Sequence, residues 1–444
     1  MLKAGFISLG CAKNLVDTEV MLGTLAANAI EITANPDQAD VIIVNTCSFI
    51  DSAKEESINA ILQMAEYKKQ HNCRALIVAG CLGQRYRQDL LEELPEVDAI
   101  IGTNAWHRIM EAVNAALAGE RVLIVGDTET IYDETMPRIA TTPTYTSYIK
   151  VAEGCNNRCS YCVIPMVRGN YRSRPVQSIV AEVKNLAVQG IKEINLIAQD
   201  TTSYGSDLYG TPRLTELLKE LVTIDGVEWI RLLYCYPKYF SDELIELIAN
   251  QPKICKYIDM PLQHAHDDIL KAMYRRDSRR TIEELLNKLR SSIPGVAIRT
   301  SFIVGFPGET EEHYQALKEF VREQRFDKVG VFTYSREEDT PAFALANQVD
   351  DDVKQQRYHD LMALQCQISE ELNQSLEGRT FEILVEGRDP EQPNLAFGRS
   401  YREALDIDGQ IFIENDADSK PGEIIRAKII QGFTYDLLAE KATS

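Results

Sequence analysis

The sequence predicts an α/β protein in three parts. An N-terminal parallel, doubly wound sheet comes first, then a central partial (β/α)6 barrel, then a small antiparallel β-barrel. Three observations carry that prediction. Over the first 120 residues, short apolar runs rich in β-branched residues alternate with helical segments, the pattern of a parallel sheet covered on both faces. The alternation resumes at Thr146 for six further units, reaching about Leu376. Beyond that, two-residue alternation broken by Gly387, Gly409 and Pro421-Gly422 suits a small barrel of antiparallel strands.

The composition agrees with a globular chain of several domains. Of 444 residues, 45% are hydrophobic and 26% charged, ordinary values for a soluble protein. No apolar run approaches the roughly 18 residues of a membrane span, and Met1-Leu2-Lys3-Ala4-Gly5-Phe6 leads into a strand without a signal-peptide layout. Ten cysteines in such a chain point to a reducing cytoplasm, where thiols act as ligands or packing. The net charge is −20, whereas a protein whose main partner is a polyphosphate ordinarily carries a basic face.

In the first part, residues 1–120, candidate strands are Gly5–Leu9, Val41–Val44, Ala75–Ala79 and Val97–Ile101, with helices over about Asn14–Asn28, Ser52–Lys68 and Leu82–Leu94. Cys11, Cys47 and Cys81 each fall where one of the first three strands hands over to its loop. The carboxyl ends of parallel strands share one edge, the usual ligand crevice, so three cysteines far apart in sequence converge there. Gly10 and Gly80 let the backbone come close to what they hold. Cys73 precedes its strand and belongs to the opposite edge. Residues 121–144 contain one apolar run, Val122-Leu123-Ile124-Val125, and are otherwise rich in Asp, Thr and Pro, which reads as a linker.

The barrel, residues 145–373, has candidate strands Tyr148–Ala152, Glu193–Ala198, Trp229–Tyr234, Tyr257–Met260, Ala297–Val304 and Lys328–Thr333. Barrels of this kind place their sites at the C-terminal ends of the strands. Directly after the first strand comes Gly154-Cys155-Asn156-Asn157-Arg158-Cys159-Ser160-Tyr161-Cys162. Three cysteines leave a tetrahedral zinc one ligand short, but they can hold three irons of a 4Fe–4S cluster and leave the fourth open. Cys235 and Cys255 sit among apolar residues and read as core; Cys366 lies off the apolar stripe of a long terminal helix.

C-x3-C-x2-C with an aromatic before the last cysteine resembles the radical S-adenosylmethionine (SAM) family. The runs Gly10-Cys11-Ala12-Lys13-Asn14-Leu15-Val16-Asp17, Asn45-Thr46-Cys47 and Gly80-Cys81-Leu82 look like the N-terminal domain of the methylthiotransferases. Within that family the C-A-K-N-L-V-D run is similar to the branch acting on a ribosomal protein rather than on transfer RNA. Gly398-Arg399-Ser400-Tyr401-Arg402-Glu403 and Asp406-Ile407-Asp408-Gly409 resemble the TRAM domain, an OB-like module, over residues 374–441. The resemblance implies two 4Fe–4S clusters, one on Cys11, Cys47 and Cys81 and one on Cys155, Cys159 and Cys162, the second binding SAM. It implies SAM serving both as radical source and as methyl donor, with sulfur and methyl inserted at a β-carbon of an aspartate in protein twelve of the small ribosomal subunit.

Other motifs fall on the same rim. By resemblance, Gln199 and Asp200 approach the methionine part of SAM and Gln263 lies near it; the weaker alternative for Ala198–Gly205 is an ordinary polar loop with a helix cap. His264 reads as well as a structural hydrogen-bonding group as a catalytic acid. Tyr161, Ser301, Ile303 and Phe306 are candidates for the SAM pocket, the last two as an apolar wall for adenine.

From Gln374 to Ser444 there are eight Lys/Arg and fourteen Asp/Glu, 8 − 14 = −6. A module tracking phosphates is expected to be positive, so this one suits a basic protein partner. The expected partners are a basic ribosomal protein and an electron donor such as flavodoxin or ferredoxin. Two other readings stand beside this one: modification of a transfer RNA adenosine, and a non-catalytic iron–sulfur redox protein that binds RNA.

Overall fold

The computed structural model describes residues 1–126 and 129–442. Six parallel strands build the first sheet: β1 (Lys3–Ser8), β2 (Glu31–Thr33), β3 (Val41–Thr46), β4 (Ala75–Gly80), β5 (Ala99–Ile101) and β6 (Val122–Ile124), in the order β2-β1-β3-β4-β5-β6. Helices α1 (Ala12–Ala27), α2 (Asp51–Gln70), α3 (Cys81–Glu93) and α4 (Ile109–Leu117) connect them. In this strand order the chain reverses between β1 and β3, and a ligand crevice opens beyond the carboxyl ends there. Cys11 and Cys47 follow those two strands.

Two elements differ from the sequence reading. Val122–Ile124, read as the start of a linker, pairs with Ala99–Ile101 as the sixth strand, because an apolar run beside an open sheet edge gains both hydrogen bonds and cover. Glu31–Thr33 is an edge strand of three residues, too short and too polar to announce itself.

The second sheet is a partial barrel of six parallel strands in sequential order. They are β7 (Thr146–Lys150), β10 (Glu193–Ile197), β11 (Trp229–Leu232), β12 (Ile254–Asp259), β13 (Ala297–Val304) and β14 (Lys328–Thr333); β8 (Ala152–Glu153) and β9 (Arg172–Ser173) form a short antiparallel pair beside it. Alternation sorts its side chains. Ile149, Ile194, Leu196, Ile230, Leu232, Ile258 and Ile298 face the surrounding helices. Tyr148, Ile197, Trp229, Tyr257 and Ala297 face inward, into a core shared with α1, α4, Leu384, Ala404 and Leu405. The interior is thus filled by other parts of the same chain.

The C-terminal strands β15 (Thr380–Arg388), β16 (Ala396–Arg399), β17 (Ile411–Glu414), β18 (Ile424–Gly432) and β19 (Leu437–Lys441) close into a barrel in the order β15-β16-β17-β19-β18. One pair, β17 with β19, runs parallel, so the module is not wholly antiparallel: its fifth strand crosses over to close the barrel. This is OB-like closure.

The motif Arg399–Asp408 is spent on docking. Arg399 Nη2 donates to Glu193 Oε2 at 2.7 Å, Arg231 Nε to Glu193 Oε1 at 3.0 Å, and Arg231 Nη1 to the Tyr401 carbonyl at 2.6 Å. Arg402 pairs with Asp327, and Tyr257 Oη donates to Asp408 Oδ2 at 2.7 Å. Although burial disfavours its charge, Arg399 and Arg231 hold the Glu193 carboxyl down to about 2. A depressed carboxylate stabilises the fold above its unfolded value near 4.5, and that stability is lost as the pH falls through about 2. Glu193→Gln is therefore expected to destabilise the protein at neutral pH by about 3–5 kcal/mol, since it leaves the buried Arg231 without a carboxylate and Arg399 with Glu386 alone. It should also flatten the acid dependence of stability between those two values. A denaturant titration showing less than about 1 kcal/mol of loss, the scale of a surface pair, would show that the docking does not depend on this carboxylate.

Candidate functional site

The three N-terminal thiols sit on three adjacent strand ends laced together by side chains. Asn45 Nδ2 donates to the Asn14 carbonyl and to Thr18 Oγ1, both at 2.8 Å. Asn14 Nδ2 donates to the Leu9 carbonyl at 2.7 Å, and Thr46 Oγ1 to the Ala79 carbonyl at 2.6 Å. Asn and Thr thus satisfy backbone carbonyls freed where the ladder ends, and hold the loops in register. Gly10 and Gly80 take φ of +86° and +89°; a Cβ at Gly10 would lie 2.9 Å from that of Cys47, and one at Gly80 would lie 2.2 Å from Asn45 Oδ1.

The thiols differ electrostatically. Cys11 precedes the first turn of α1, where the N–H groups of Asn14 and Lys13, with the charges of Lys13 and Arg168, outweigh burial and pull it below the usual thiol range. Burial pushes Cys47 up and Cys81 up to about 12, although Arg168 Nη2 stands 3.6 Å from Cys81 Sγ. Cys47 feels the charge of Cys11, and Cys81 feels the charges of Cys11 and Cys47.

The second trio lies on the loop between β8 and the short helix α5 (Ile164–Arg168). Cys155 N–H donates to the Gly169 carbonyl at 3.1 Å, Ser160 N–H to the Met273 carbonyl at 3.0 Å, and Ala342 N–H to the Ser160 carbonyl at 2.8 Å. Burial pushes Cys155 up to about 11 and raises Cys162 further. Cys81 packs against Val163 and Val167, so the two trios are near neighbours.

A buried ionic network joins them. Arg168 Nη1 donates to Glu153 Oε1 at 2.9 Å and to Asp17 Oδ2 at 3.1 Å, and Lys150 Nζ donates to Glu153 Oε2 at 2.7 Å and also to Asp17. Arg168 Nη2 reaches Asn14 Oδ1 at 3.2 Å, and Gln199 Nε2 donates to Glu153 Oε1 at 2.8 Å. Lys150 and Arg168 hold the Glu153 carboxyl well below the usual range despite its burial. The sequence reading missed this network and the laces. Its one available signal was the spacing of Lys13, Asn14 and Asp17, which puts them on one face of α1 just after Cys11.

The rim candidates divide. Tyr161 and Ile303 are partly buried against Ile269, Met273 and Phe306. Gln199 keeps a buried Oε1 without a partner among the described residues, and Gln263, at φ +73°, bridges to β13, its N–H donating to the Ser301 carbonyl at 2.8 Å. Asp200 braces the site: its carboxylate accepts from Ser203 Oγ at 2.6 Å, Thr202 Oγ1 at 2.8 Å and Asn157 Nδ2 at 2.8 Å, tying the cysteine loop to β10. Phe306 is buried in the same cluster, packed edge-on to Tyr334. His264 is structural: it is fully buried, its Nδ1 accepts from the His266 N–H at 3.0 Å, and burial holds it below the usual imidazole range. On the same rim His266, Asp268 and His313 converge, but each imidazole Nδ1 accepts a backbone N–H as a helix cap. Cys73, Cys235 and Cys255 are buried, and Cys366 Sγ lies 2.8 Å from Tyr435 Oη.

Zinc–sulfur bonds of about 2.3 Å would draw thiolates to roughly 3.8 Å apart. Among the described residues, neither trio brings all three sulfurs within 4.8 Å of one another. Three thiols at each site are one short of a closed zinc set and match the donor set of a 4Fe–4S cluster with one iron left open.

The whole chain compares closely with known proteins. Over 439 residues it is 53% identical to "Ribosomal protein uS12 methylthiotransferase RimO" of Desulforamulus reducens, covering 99% of each chain. The chain belongs to the uS12 methylthiotransferase family. The protein of the same name from Pelobacter propionicus is 52% identical over 99% of this chain and 97% of its own. Residues 3–102 match the family described as "Uncharacterized protein family UPF0004", residues 149–321 the radical SAM superfamily, and residues 378–441 the TRAM domain. Among solved structures, the radical SAM methyltransferase TsrM of Kitasatospora setae, with tryptophan and a SAM analogue bound, aligns with a TM-score of 0.61 at 14% identity. It covers 84% of this chain and 90% of that one, a likeness of fold.

Arg168→Gln is expected to destabilise this uS12 methylthiotransferase family member by about 3–5 kcal/mol, because Asp17 and Glu153 would then share Lys150 alone in a buried setting. Urea unfolding followed by near-ultraviolet circular dichroism measures it; a loss below about 1 kcal/mol would place Arg168 in the class of exposed pairs.

Proposed function

We propose that the chain is a methylthiotransferase of ribosomal protein uS12, inserting sulfur and a methyl group at the β-carbon of an aspartate. One observation carries the reading: two separate cysteine trios lie side by side at the strand ends, in a chain about half identical over its whole length to uS12 methylthiotransferases. In this reading Cys11, Cys47 and Cys81 hold one 4Fe–4S cluster, and Cys155, Cys159 and Cys162 hold the cluster that binds SAM. When bound, these groups supply radical chemistry and a transferable sulfur, which an unactivated C–H bond requires and acid–base side chains cannot provide.

The chain's own residues do the rest. Asn14, Asn45 and Thr46 fix the first three thiols, and the strapped loop of Ser160 fixes the second three. Arg168 and Lys13 set positive charge beside thiolates that burial would otherwise disfavour. Tyr161, Ile303 and Ser301 line the SAM side of the rim, and Gln199 and Gln263 offer it polar groups. Reduced flavodoxin or ferredoxin serves as the electron donor, and the protein works in the cytoplasm. Ten free thiols support that location, and among the described residues no helix is long and apolar enough to cross a membrane.

The C-terminal module recruits the basic substrate. Asp408 and Asp416 do not take part, being spent internally on Tyr257 and Ser419; Glu382, Glu391, Asp406, Glu414 and Asp418 are among the exposed carboxylates. Arg399 and Arg402, which a nucleic-acid reading would use, are buried.

Anaerobic reconstitution should give about eight irons per chain, four at each site, and Ala at Cys155, Cys159 and Cys162 together should remove about half. Offered uS12 and transfer RNA together, the loaded enzyme should add a methylthio group to the protein, read by mass spectrometry of protein and nucleoside digests. Lys at Glu382, Glu391, Glu414 and Asp418 should raise KM for uS12 and weaken its salt dependence. Saturation near four irons, or methylthiolated adenosine beside unmodified uS12, would overturn the reading.

A further inference from the structure

Around the gap between the two trios Asp17, Glu153 and Asp259 are each matched by a cation, while Lys13 is matched by no carboxylate and has the Cys11 thiolate as its nearest anionic neighbour. Asp17 and Glu153 are held by Lys150 and Arg168. Asp259 Oδ1 accepts from Arg299 at 2.8 Å and Oδ2 from the Tyr234 N–H at 2.9 Å. Lys13 remains. Its side chain leaves the first turn of α1 two residues after Cys11 and is only 6% exposed. Its Nζ stands 3.0 Å above the Tyr234 ring, just past the end of β11. Among the described residues, no carboxylate or carbonyl accepts a hydrogen bond from that Nζ.

An ammonium so deeply buried is costly without an anion, and the face of a tyrosine offsets only part of the cost. The arrangement is that of a receptor for a carboxylate, with three donors unspent and an aromatic wall beneath them. Its place matters equally: Cys11 lies on one side and the mouth of the barrel on the other. A carbon presented to both trios would put its neighbouring carboxylate within reach of this amine.

We propose that Lys13 receives the side-chain carboxylate of the aspartate being modified and sets the preference for an acid over its amide. The proposal rests on the reading of the chain as an enzyme acting on an aspartate of uS12. It names what that aspartate binds, which no cluster ligand or SAM contact provides.

The test uses the cluster-loaded enzyme and two uS12 peptides. One carries the aspartate that the wild type modifies, identified by mass spectrometry; the other carries asparagine there. Binding is followed anaerobically by fluorescence anisotropy, and iron is counted for each variant. The wild type should bind the aspartate peptide about tenfold or more tightly, the scale of a charge-assisted hydrogen bond. Lys13→Met should bring the ratio of the two peptides close to one, and Lys13→Arg should keep most of it. Because the measure is a ratio within one variant, a lower folded fraction cancels. A full preference retained in Lys13→Met overturns the proposal, as does a wild type that binds both peptides equally. Loss of the N-terminal irons in both variants, with the preference intact in Lys13→Met, assigns the lysine to the cluster and overturns it too. A wild type that modifies no aspartate at all fails the functional reading itself, and is recognised as such before any variant is made.

Discussion

Four buried ionic side chains decide where everything else in the molecule can be. Asp17 comes from the first domain, Lys150 and Glu153 from the first barrel strand and the short strand after it, and Arg168 from the helix after the second cysteine loop. None of the four is tolerable alone in that setting. Together they form a closed set with good hydrogen-bond geometry, and closing the set requires two domains to meet in one orientation. Packing could bring α1 to the barrel mouth in several ways, but the network admits one. It thereby sets how the Cys11, Cys47 and Cys81 loops stand to the Cys155, Cys159 and Cys162 loop.

The two trios are held by different means, which follows from how each is encoded. The second is local: one loop carries all three thiols, and backbone hydrogen bonds to Gly169, Met273 and Ala342 strap it down. The first is assembled from three loops that share only a sheet edge, so side chains must do the joining. Asn14, Asn45 and Thr46 sit next to the cysteines in sequence for that reason. Their amides and hydroxyls hydrogen-bond to the carbonyls of Leu9 and Ala79 near the strand ends and to that of Asn14 in α1.

Local pattern made much of this legible. Ala297–Val304 and Lys328–Thr333 were readable as strands to the residue because their apolar runs end abruptly at turns. The six thiols were readable because position at a strand end is a property of the sequence around it. What could not be read were the pairings between distant elements. Val122–Ile124 looks like linker until an open edge is seen beside it. That Asp200 gathers Asn157, Thr202 and Ser203 could not be read either. Arg168 carries no motif of its own, and what Arg168 and Lys13 touch, Cys81 and Tyr234, lies far along the chain from each. Charge counting in the C-terminal module could not tell which acids reach the surface: Asp408 and Asp416 contribute to the total but are spent inside.

The inward docking of Arg399–Asp408 has a bearing on biogenesis. Glu193, Arg231 and the inner faces of Tyr148 and Tyr257 are covered by residues from the last fifty of the chain. During synthesis, domains fold in order from the N-terminus, so the barrel forms with its floor missing and its polar interior wet. The floor arrives only when the final module leaves the ribosome. Maturation of the nascent enzyme is therefore completed by its last segment, and a chain released early would be left with an open, charged barrel for quality control to find.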